Sequence, residues 1–371
     1  TCGSGGFLLE VLLQVWNKLD RDYAGRRELE RIKTDFALNQ VYGIEIHDIL
    51  ARICKINLLL HHDGHTNIEG DKSCLDTEFT KERLKLGKEN FNVVVGNPPF
   101  GDTIKEGDED QLGKSSLEDF EVSAGRSQIP SEHIIVEKSI KMLKDDGLLG
   151  LVLPDGVFNN QGELSNCPLL RNYLVKQGRV LAVVSLPDYA FRKSGAQNKT
   201  SILFFKKFNY DQRTAFENAY DAQIANGASD EQAIIAALSA NPYRVFMAEA
   251  NFIGYSSTGA LMEKNDLYRG SAGGHLDDDQ SETILGEYRR FCVDPENYIP
   301  ALNDCIGLDI CSVWNAHESH RLDPKYHLFK VQEEQTLPEG WVSKKLSELM
   351  QRREEIVRPQ ETPEAPVVVM T

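Results

Sequence analysis

Over the first two hundred positions, short apolar runs alternate with stretches of helical spacing, which predicts strands and helices in turn. Strand-like runs fall at Val41–Ile46, Phe91–Gly96, Leu148–Leu153, Val180–Leu186 and Thr200–Phe205. Helices are predicted at Phe7–Leu19, Ile49–His61 and His133–Leu143; in the second, Ile49, Leu50, Ile53, Ile56 and Leu60 recur at helical spacing. This alternation is the signature of an α/β fold around a doubly wound, mainly parallel sheet. The segment Pro187–Lys199 is too short for a helical crossover, so the last two strands predict an antiparallel final hairpin.

From Asn209 the pattern changes. Ala-rich Ala215–Leu238 predicts one or two surface helices, and Ser271–Gln280, rich in Gly and Asp, predicts a mobile loop. After Arg321 the composition shifts again and ends in Thr362-Pro363-Glu364-Ala365-Pro366, the signature of a linker. These shifts divide the chain at 1–208, 209–320 and 321–371, the middle span being a smaller C-terminal α+β extension.

At 371 residues, with 41% apolar and 26% charged positions, the chain is long enough for two or more domains and ordinary for a globular protein. No apolar run reaches the roughly 18 residues of a membrane span, so a membrane-embedded protein is not expected. The seven cysteines are scattered without CxxC pairs, which predicts neither a metal site nor a disulfide framework and fits a reducing, cytoplasmic setting. The chain opens on Thr1-Cys2-Gly3-Ser4-Gly5-Gly6 without an initiator Met and is expected to be a fragment, open at both ends. A net charge of −16 argues against a nucleic-acid binder, because phosphate contacts come from Lys and Arg. Most of that charge falls after residue 210, however, and the segment 171–207 holds eight basic residues (among them Arg192, Lys193 and Lys199) against the single acid Asp188. A basic face is therefore expected there.

Three elements carry chemistry. Cys2-Gly3-Ser4-Gly5-Gly6-Phe7 leads straight into a helix, and glycines at such a turn let a ligand approach the backbone. Glu45 ends the strand Val41-Tyr42-Gly43-Ile44-Glu45, where doubly wound folds place an acid on ribose hydroxyls; Asp71 falls at the end of a third strand, after Thr66–Glu69. Asn97-Pro98-Pro99-Phe100 follows the apolar strand Phe91–Gly96. Two prolines at a strand end keep a carbonyl out of the sheet, and the Asn amide oxygen and a prolyl carbonyl can then accept both hydrogens of a planar amino group. Phe100 offers a π-face for the ring that bears that group.

In these motifs the sequence resembles the amino-group DNA methyltransferases, most closely the adenine-N6 modification subunits of type I restriction-modification systems. The resemblance covers residues 1–208 strongly and Pro242–Asp266 more weakly. It implies a catalytic domain at 1–208 with the S-adenosylmethionine-dependent methyltransferase fold. Thr1, Cys2, Gly3, Gly5 and Gly6 would lie along the methionine part of S-adenosylmethionine, Glu45 would hold the ribose hydroxyls, and Asp71 the amino group of the cofactor adenine. Asn97 and the Pro98 carbonyl would accept from the target N6, with Pro99 shaping the turn and Phe100 stacking on the flipped adenine. Gly147–Phe158, with Leu153-Pro154-Asp155-Gly156, is similar to a later strand and loop of the family. Gln197–Ser201 is similar to the entry to its final hairpin, so Arg192, Lys193, Lys199 and Thr200 are expected near double-stranded DNA.

Methyl transfer of this kind needs no covalent intermediate, so no catalytic cysteine and no metal are expected. The same logic serves cytosine N4, an RNA base or a protein glutamine amide, and such a chain can also act as a non-catalytic assembly module. The family's acid upstream of the Gly-rich loop, its earlier cofactor-covering segment and its N-terminal helical domain are not in this sequence. The acid-rich stretch Asp102–Glu121 is expected to be a mobile, solvated loop. Arg321-Leu322-Asp323-Pro324-Lys325-Tyr326, Leu337–Trp341 and Lys345–Leu349 resemble the start of a target-recognition domain of specificity proteins. Such a fused domain or a separate specificity subunit, and a restriction nuclease subunit, are the partners this implies.

Overall fold

The computed structural model describes residues 2–61, 65–83, 91–123, 125–192, 198–271, 275–315, 320–329 and 342. The chain divides into two compact units, Thr1–Leu328 and Phe329–Thr371. The segments Leu337–Trp341 and Lys345–Leu349, the proline-containing tail, Thr1, Lys193 and Gln197 lie outside the described residues.

In the first unit, α1 (Gly6–Asp22) and α2 (Leu29–Gln40) precede β1 (Gly43–Glu45), α3 (Asp48–Leu60), β2 (Ile68–Gly70), α4 (Thr77–Arg83) and β3 (Phe91–Gly96). The paired strands β4 (Thr103–Lys105) and β5 (Gln128–Pro130) enclose α5 (Glu109–Leu112), and α6 (Ser131–Met142) leads into β6 (Leu143–Pro154). The turn helix α7 (Gly156–Asn159), then α8 (Cys167–Gln177), β7 (Gly178–Ser185) and β8 (Thr200–Lys207) follow. The extension adds α9 (Tyr210–Ala225), α10 (Asp230–Ala240), β9 (Arg244–Glu249), β10 (Ile253–Tyr255), β11 (Leu261–Asn265), β12 (Gly270–Ser271), β13 (His275–Leu276), α11 (Ile284–Val293), β14 (Cys305–Asp309) and α12 (Ile310–Asn315).

The main sheet has six strands in the order β14-β9-β7-β8-β6-β3. Strands β3 and β6 pair in parallel, as do β7 and β9, while β8 runs antiparallel to both of its neighbours and β14 antiparallel to β9. Four strands therefore point one way, and β7–β8 is the antiparallel hairpin expected from the short Pro187–Lys199 link. The span 209–320 supplies helices and strands of its own, and its β9 and β14 complete the same sheet. Both sheet faces are covered: Leu151, Leu153, Val183, Leu203 and Met247 pack under α6, α8 and α10, whereas Ala182, Val184, Phe246 and Ala248 meet Ile284 and Phe291 of α11.

Strands β1 and β2 form a separate parallel pair, sealed by Leu12, Ala37, Cys54 and Leu58 from α1, α2 and α3. They are not hydrogen-bonded into the main sheet, because the outer edge of β1 gives its Ile44 carbonyl to the Cys2 N–H at 2.9 Å. The second Ala-rich helix differs from its expected surface position: α10 buries Ala233, Ile234, Ala237 and Leu238, its alanines allowing close approach to the core.

The acid-rich stretch Asp102–Glu121 is folded, which corrects the expectation of a mobile loop. Leu112, Leu117 and Phe120 are buried, and the acids serve backbone N–H groups. Asp108 accepts from Gln111 at the start of α5, Glu106 accepts from the N–H of Leu117, and Asp119 closes a capping box with Ser116. The expected loop Ser271–Gln280 likewise contains the short pair β12–β13, with residues 272–274 outside the described set.

Candidate active site

The site gathers where parallel strands end. Asn97 follows β3, Asp155 follows β6, Ser185 ends β7 and Glu249 ends β9; β8, running the other way, begins there at Thr200. Carboxyl ends of strands are where open α/β sheets place their ligands.

The Gly-rich loop turns through Gly3 (φ +54°) and Gly5 (φ +88°) into α1. Only glycine visits that region without strain, and at Gly5 a Cβ would also lie 2.7 Å from the Cys54 Sγ. At Gly3 and Gly6 a Cβ would meet nothing within 4 Å, so the exposed side of the loop is open to a ligand. The Gly3 N–H donates to the Glu45 Oε2 at 2.8 Å, and the His47 N–H to the other oxygen at 3.1 Å. Glu45 is thus buried but paired, and each of its oxygens retains a lone pair for a hydroxyl donor. Asp71 stands just past Gly70, the strand partner of Glu45, in the left-handed conformation (φ +56°) and exposed. Cys2 sits against Cys54; the hydrogen bond between their side chains, with burial second, pushes the Cys2 thiol up, so it offers no thiolate nucleophile near neutral pH.

Asn97 holds the most telling atom of the site: its Oδ1 is buried and has no hydrogen-bond partner among the described residues. An acceptor left unpaired costs folding free energy of about 1–3 kcal/mol, a cost a bound donor removes. Pro98 is buried, Pro99 exposed and Phe100 half-buried. The Pro99 carbonyl accepts from the Ser131 hydroxyl.

Beyond β3, the residues expected to meet DNA take different positions. Lys199 pairs with Glu249 at 3.0 Å, Thr200 is buried with its hydroxyl unpartnered, Arg192 is exposed, and Lys193 lies outside the described residues. Among the described residues of 171–207, most cations are paired rather than gathered on one broad basic face. Arg171 is fully buried and donates to the carbonyls of Val157 and Asn160, Lys176 pairs with Asp230, Lys206 pairs with Asp146, and Lys207 donates to the Leu143 carbonyl. These cations sit on helices and strands of the fold, where each meets an acceptor, and Lys206 also reaches solvent.

The sequence marks Asp155 and Ser201 only as members of family-similar segments, and it does not mark Ser185 or Glu249 at all. Asp155 accepts from the Ser201 hydroxyl across the end of the sheet, and burial raises its pKa. Ser185, cross-strand from Ser201, leaves its own hydroxyl unpartnered. The Leu153-Pro154-Asp155-Gly156 turn was the available signal for Asp155; a lone Ser at a strand end gives none. No cluster of three or more His, Cys, Asp or Glu suited to a metal ion occurs among the described residues.

Residues 1–237 match the family described as N-6 DNA Methylase. The type I restriction enzyme EcoEI methylase subunit of Escherichia coli is 26% identical over 206 residues, covering 56% of this chain and 36% of that protein. The type I restriction enzyme MpnII methylase subunit of Mycoplasma pneumoniae is 28% identical over 209 residues, 56% of this chain and 34% of that protein. The chain therefore spans about a third of the length of these curated relatives. Among solved structures, the type I restriction enzyme EcoKI M protein shares the fold, with a TM-score of 0.50 at 17% identity over 90% of this chain and 64% of that one.

Proposed function

The chain belongs to the N-6 DNA methylase family, and from that premise we propose that it is the catalytic part of a site-specific adenine-N6 DNA methyltransferase of a restriction-modification system. The observation that carries this reading is the buried Oδ1 of Asn97, without a partner among the described residues, on the same turn as the Pro98 carbonyl. Two acceptors on one turn suit an exocyclic amine, which brings two hydrogens and has a lone pair to direct.

The residues of the first loop fit S-adenosylmethionine as methyl donor. Gly3 and Gly6 leave open space for its methionine part, Glu45 keeps lone pairs for the ribose hydroxyls, and Asp71 lies one strand away for the adenine amino group. When bound, that cofactor supplies an electrophilic methyl group. Asn97 Oδ1 and the Pro98 carbonyl would hold the two N6 hydrogens and turn the nitrogen lone pair out of conjugation with the ring; as the nitrogen takes the methyl group, one of these hydrogens would leave as a proton to solvent. Phe100 stacks on the adenine once the base has left the helix. Rate enhancement comes from holding the two reactants in line.

Double-stranded DNA is the substrate of this reading, and a specificity subunit or fused target-recognition domain supplies most of the phosphate contacts that the paired lysines of this chain do not. The methylase-subunit relatives support that assembly and a companion restriction nuclease. No helix among the described residues is long and apolar enough to cross a membrane, and we place the protein in the cytoplasm. The test is to supply the full-length protein with methyl-labelled cofactor and equal amounts of DNA, RNA and protein acceptor. The reading expects label in DNA; label only in RNA or protein overturns it.

A further inference from the structure

The loop that follows Pro98 is tied at two points to Ser131, the first residue of α6. The Ser131 hydroxyl donates to the Pro99 carbonyl at 3.2 Å, and the Ser131 N–H donates to the Asp102 carbonyl at 2.9 Å. Phe100 lies between these anchors, so its flanking peptides set where its ring points. Gly101 closes the loop at φ +83°, a conformation that glycine takes without strain.

The anchors themselves are firm. Every residue of α6 from Ser131 to Ile140 is buried, and the pairing of Thr103 with Pro130 in β4–β5 brings Asp102 back beside Ser131. Ser131 itself is only 3% exposed, so both of its bonds to the loop are made away from water, where a hydrogen bond is stronger. Engaging the Pro99 carbonyl also sets that carbonyl apart from the Pro98 one.

We propose that Ser131 is a positioning residue for methyl transfer, clamping Pro99–Asp102 so that the Pro98 carbonyl and the Phe100 ring keep their productive placement while Ser131 touches no substrate. This rests on Asn97–Phe100 as the base-holding turn.

The experiment compares Ser131→Ala and Ser131→Thr with wild type in the full-length protein, with hydrogen exchange of the 99–102 peptide read beside steady-state kinetics and a thermal melt. Ser131→Ala is expected to speed exchange in that peptide roughly tenfold, the loss of one hydrogen bond. It is also expected to lower kcat by about 10²-fold while leaving KM for DNA and for S-adenosylmethionine nearly unchanged. Ser131→Thr keeps the hydroxyl and should restore slow exchange and most of kcat. Unaltered exchange in Ser131→Ala overturns the clamp, as does a fall in kcat that follows the melting temperature and is equal in Ala and Thr. If wild type transfers no methyl group to DNA, the functional reading fails, and the exchange data still decide the clamp.

Discussion

The Gly3 N–H and the Glu45 carboxylate meet at 2.8 Å, so the turn that opens α1 and the end of β1 act as one structural unit. The carboxylate shapes the Gly-rich loop at the same time as it offers its remaining lone pairs outward. Glu45→Ala is therefore expected to weaken S-adenosylmethionine binding by roughly 10- to 100-fold, the range for a hydrogen bond to a charged group. Glu45→Gln, which keeps one acceptor for Gly3, should lose less. Calorimetric titration of the full-length protein measures both, and an unchanged affinity in Glu45→Ala would remove Glu45 from the cofactor site.

Gly5 is constrained twice, by φ +88° and by the Cys54 sulfur 2.7 Å from where a Cβ would stand. Gly5→Ala should destabilise the fold by about 1–3 kcal/mol through backbone strain, with the clash in addition. Adding Cys54→Ala removes the sulfur but leaves the strain, so it should recover part of the loss in a denaturant melt. Full recovery would show that the left-handed backbone carries no cost at this position.

Two arginines that look alike in sequence, Arg171 and Arg192, differ in burial. Arg171 is buried, with its pKa lowered to about 10 by desolvation, and it satisfies the Val157 and Asn160 carbonyls. Arg171→Met should cost about 1–3 kcal/mol for each carbonyl left unpaired. Arg192 is exposed, and Arg192→Ala should leave stability unchanged and reduce the salt dependence of DNA binding by about one phosphate contact. The opposite pattern, a salt effect from Arg171 and a stability effect from Arg192, would reinstate the basic face expected over 171–207.

His133 is 1% exposed, near Asn166 and Cys167, and burial lowers its pKa to about 4 from 6.5. The folded protein keeps it neutral, whereas the unfolded chain protonates it below pH 6.5, so the unfolded state binds more protons between these values. Stability is therefore retained above pH 6.5 and declines as the pH falls toward 4, by at most about 3 kcal/mol from this group. Urea melts of wild type and His133→Gln at a series of pH values between those limits test this. Equal slopes in the two proteins would mean that His133 titrates normally in the folded state.

Much of this architecture was legible in the residues. Phe91–Gly96 stands in the structure with the bounds its apolar run predicts, because a β-branched stretch between polar turns has few alternatives. The Gly-rich turn, Glu45 and the Asn97 turn were found because glycine, a strand-end acid and paired prolines each have a local geometric reason. Strand β6 begins at Leu143, five residues before its predicted start, since Lys144, Asp145 and Asp146 hide a strand whose apolar signal rises only at Leu148. Charge was the least legible property. Lys176, Lys199 and Lys206 read as a basic face until their partners Asp230, Glu249 and Asp146 arrive from distant positions. Asp108 and Asp119 read as a solvated loop until they cap the turns that follow them. Partners distant in sequence leave no mark in a local pattern.

On this reading, Asn97 Oδ1 is the acceptor that holds the adenine amino group. Nucleoside mass spectrometry of DNA treated with full-length wild type or Asn97→Ala, with cofactor affinity measured on the same samples, tests it. Wild type is expected to yield N6-methyldeoxyadenosine, and Asn97→Ala none detectable, with an unchanged affinity for S-adenosylmethionine. N6-methyldeoxyadenosine at wild-type levels from Asn97→Ala, or a modified base other than adenine from wild type, would contradict it.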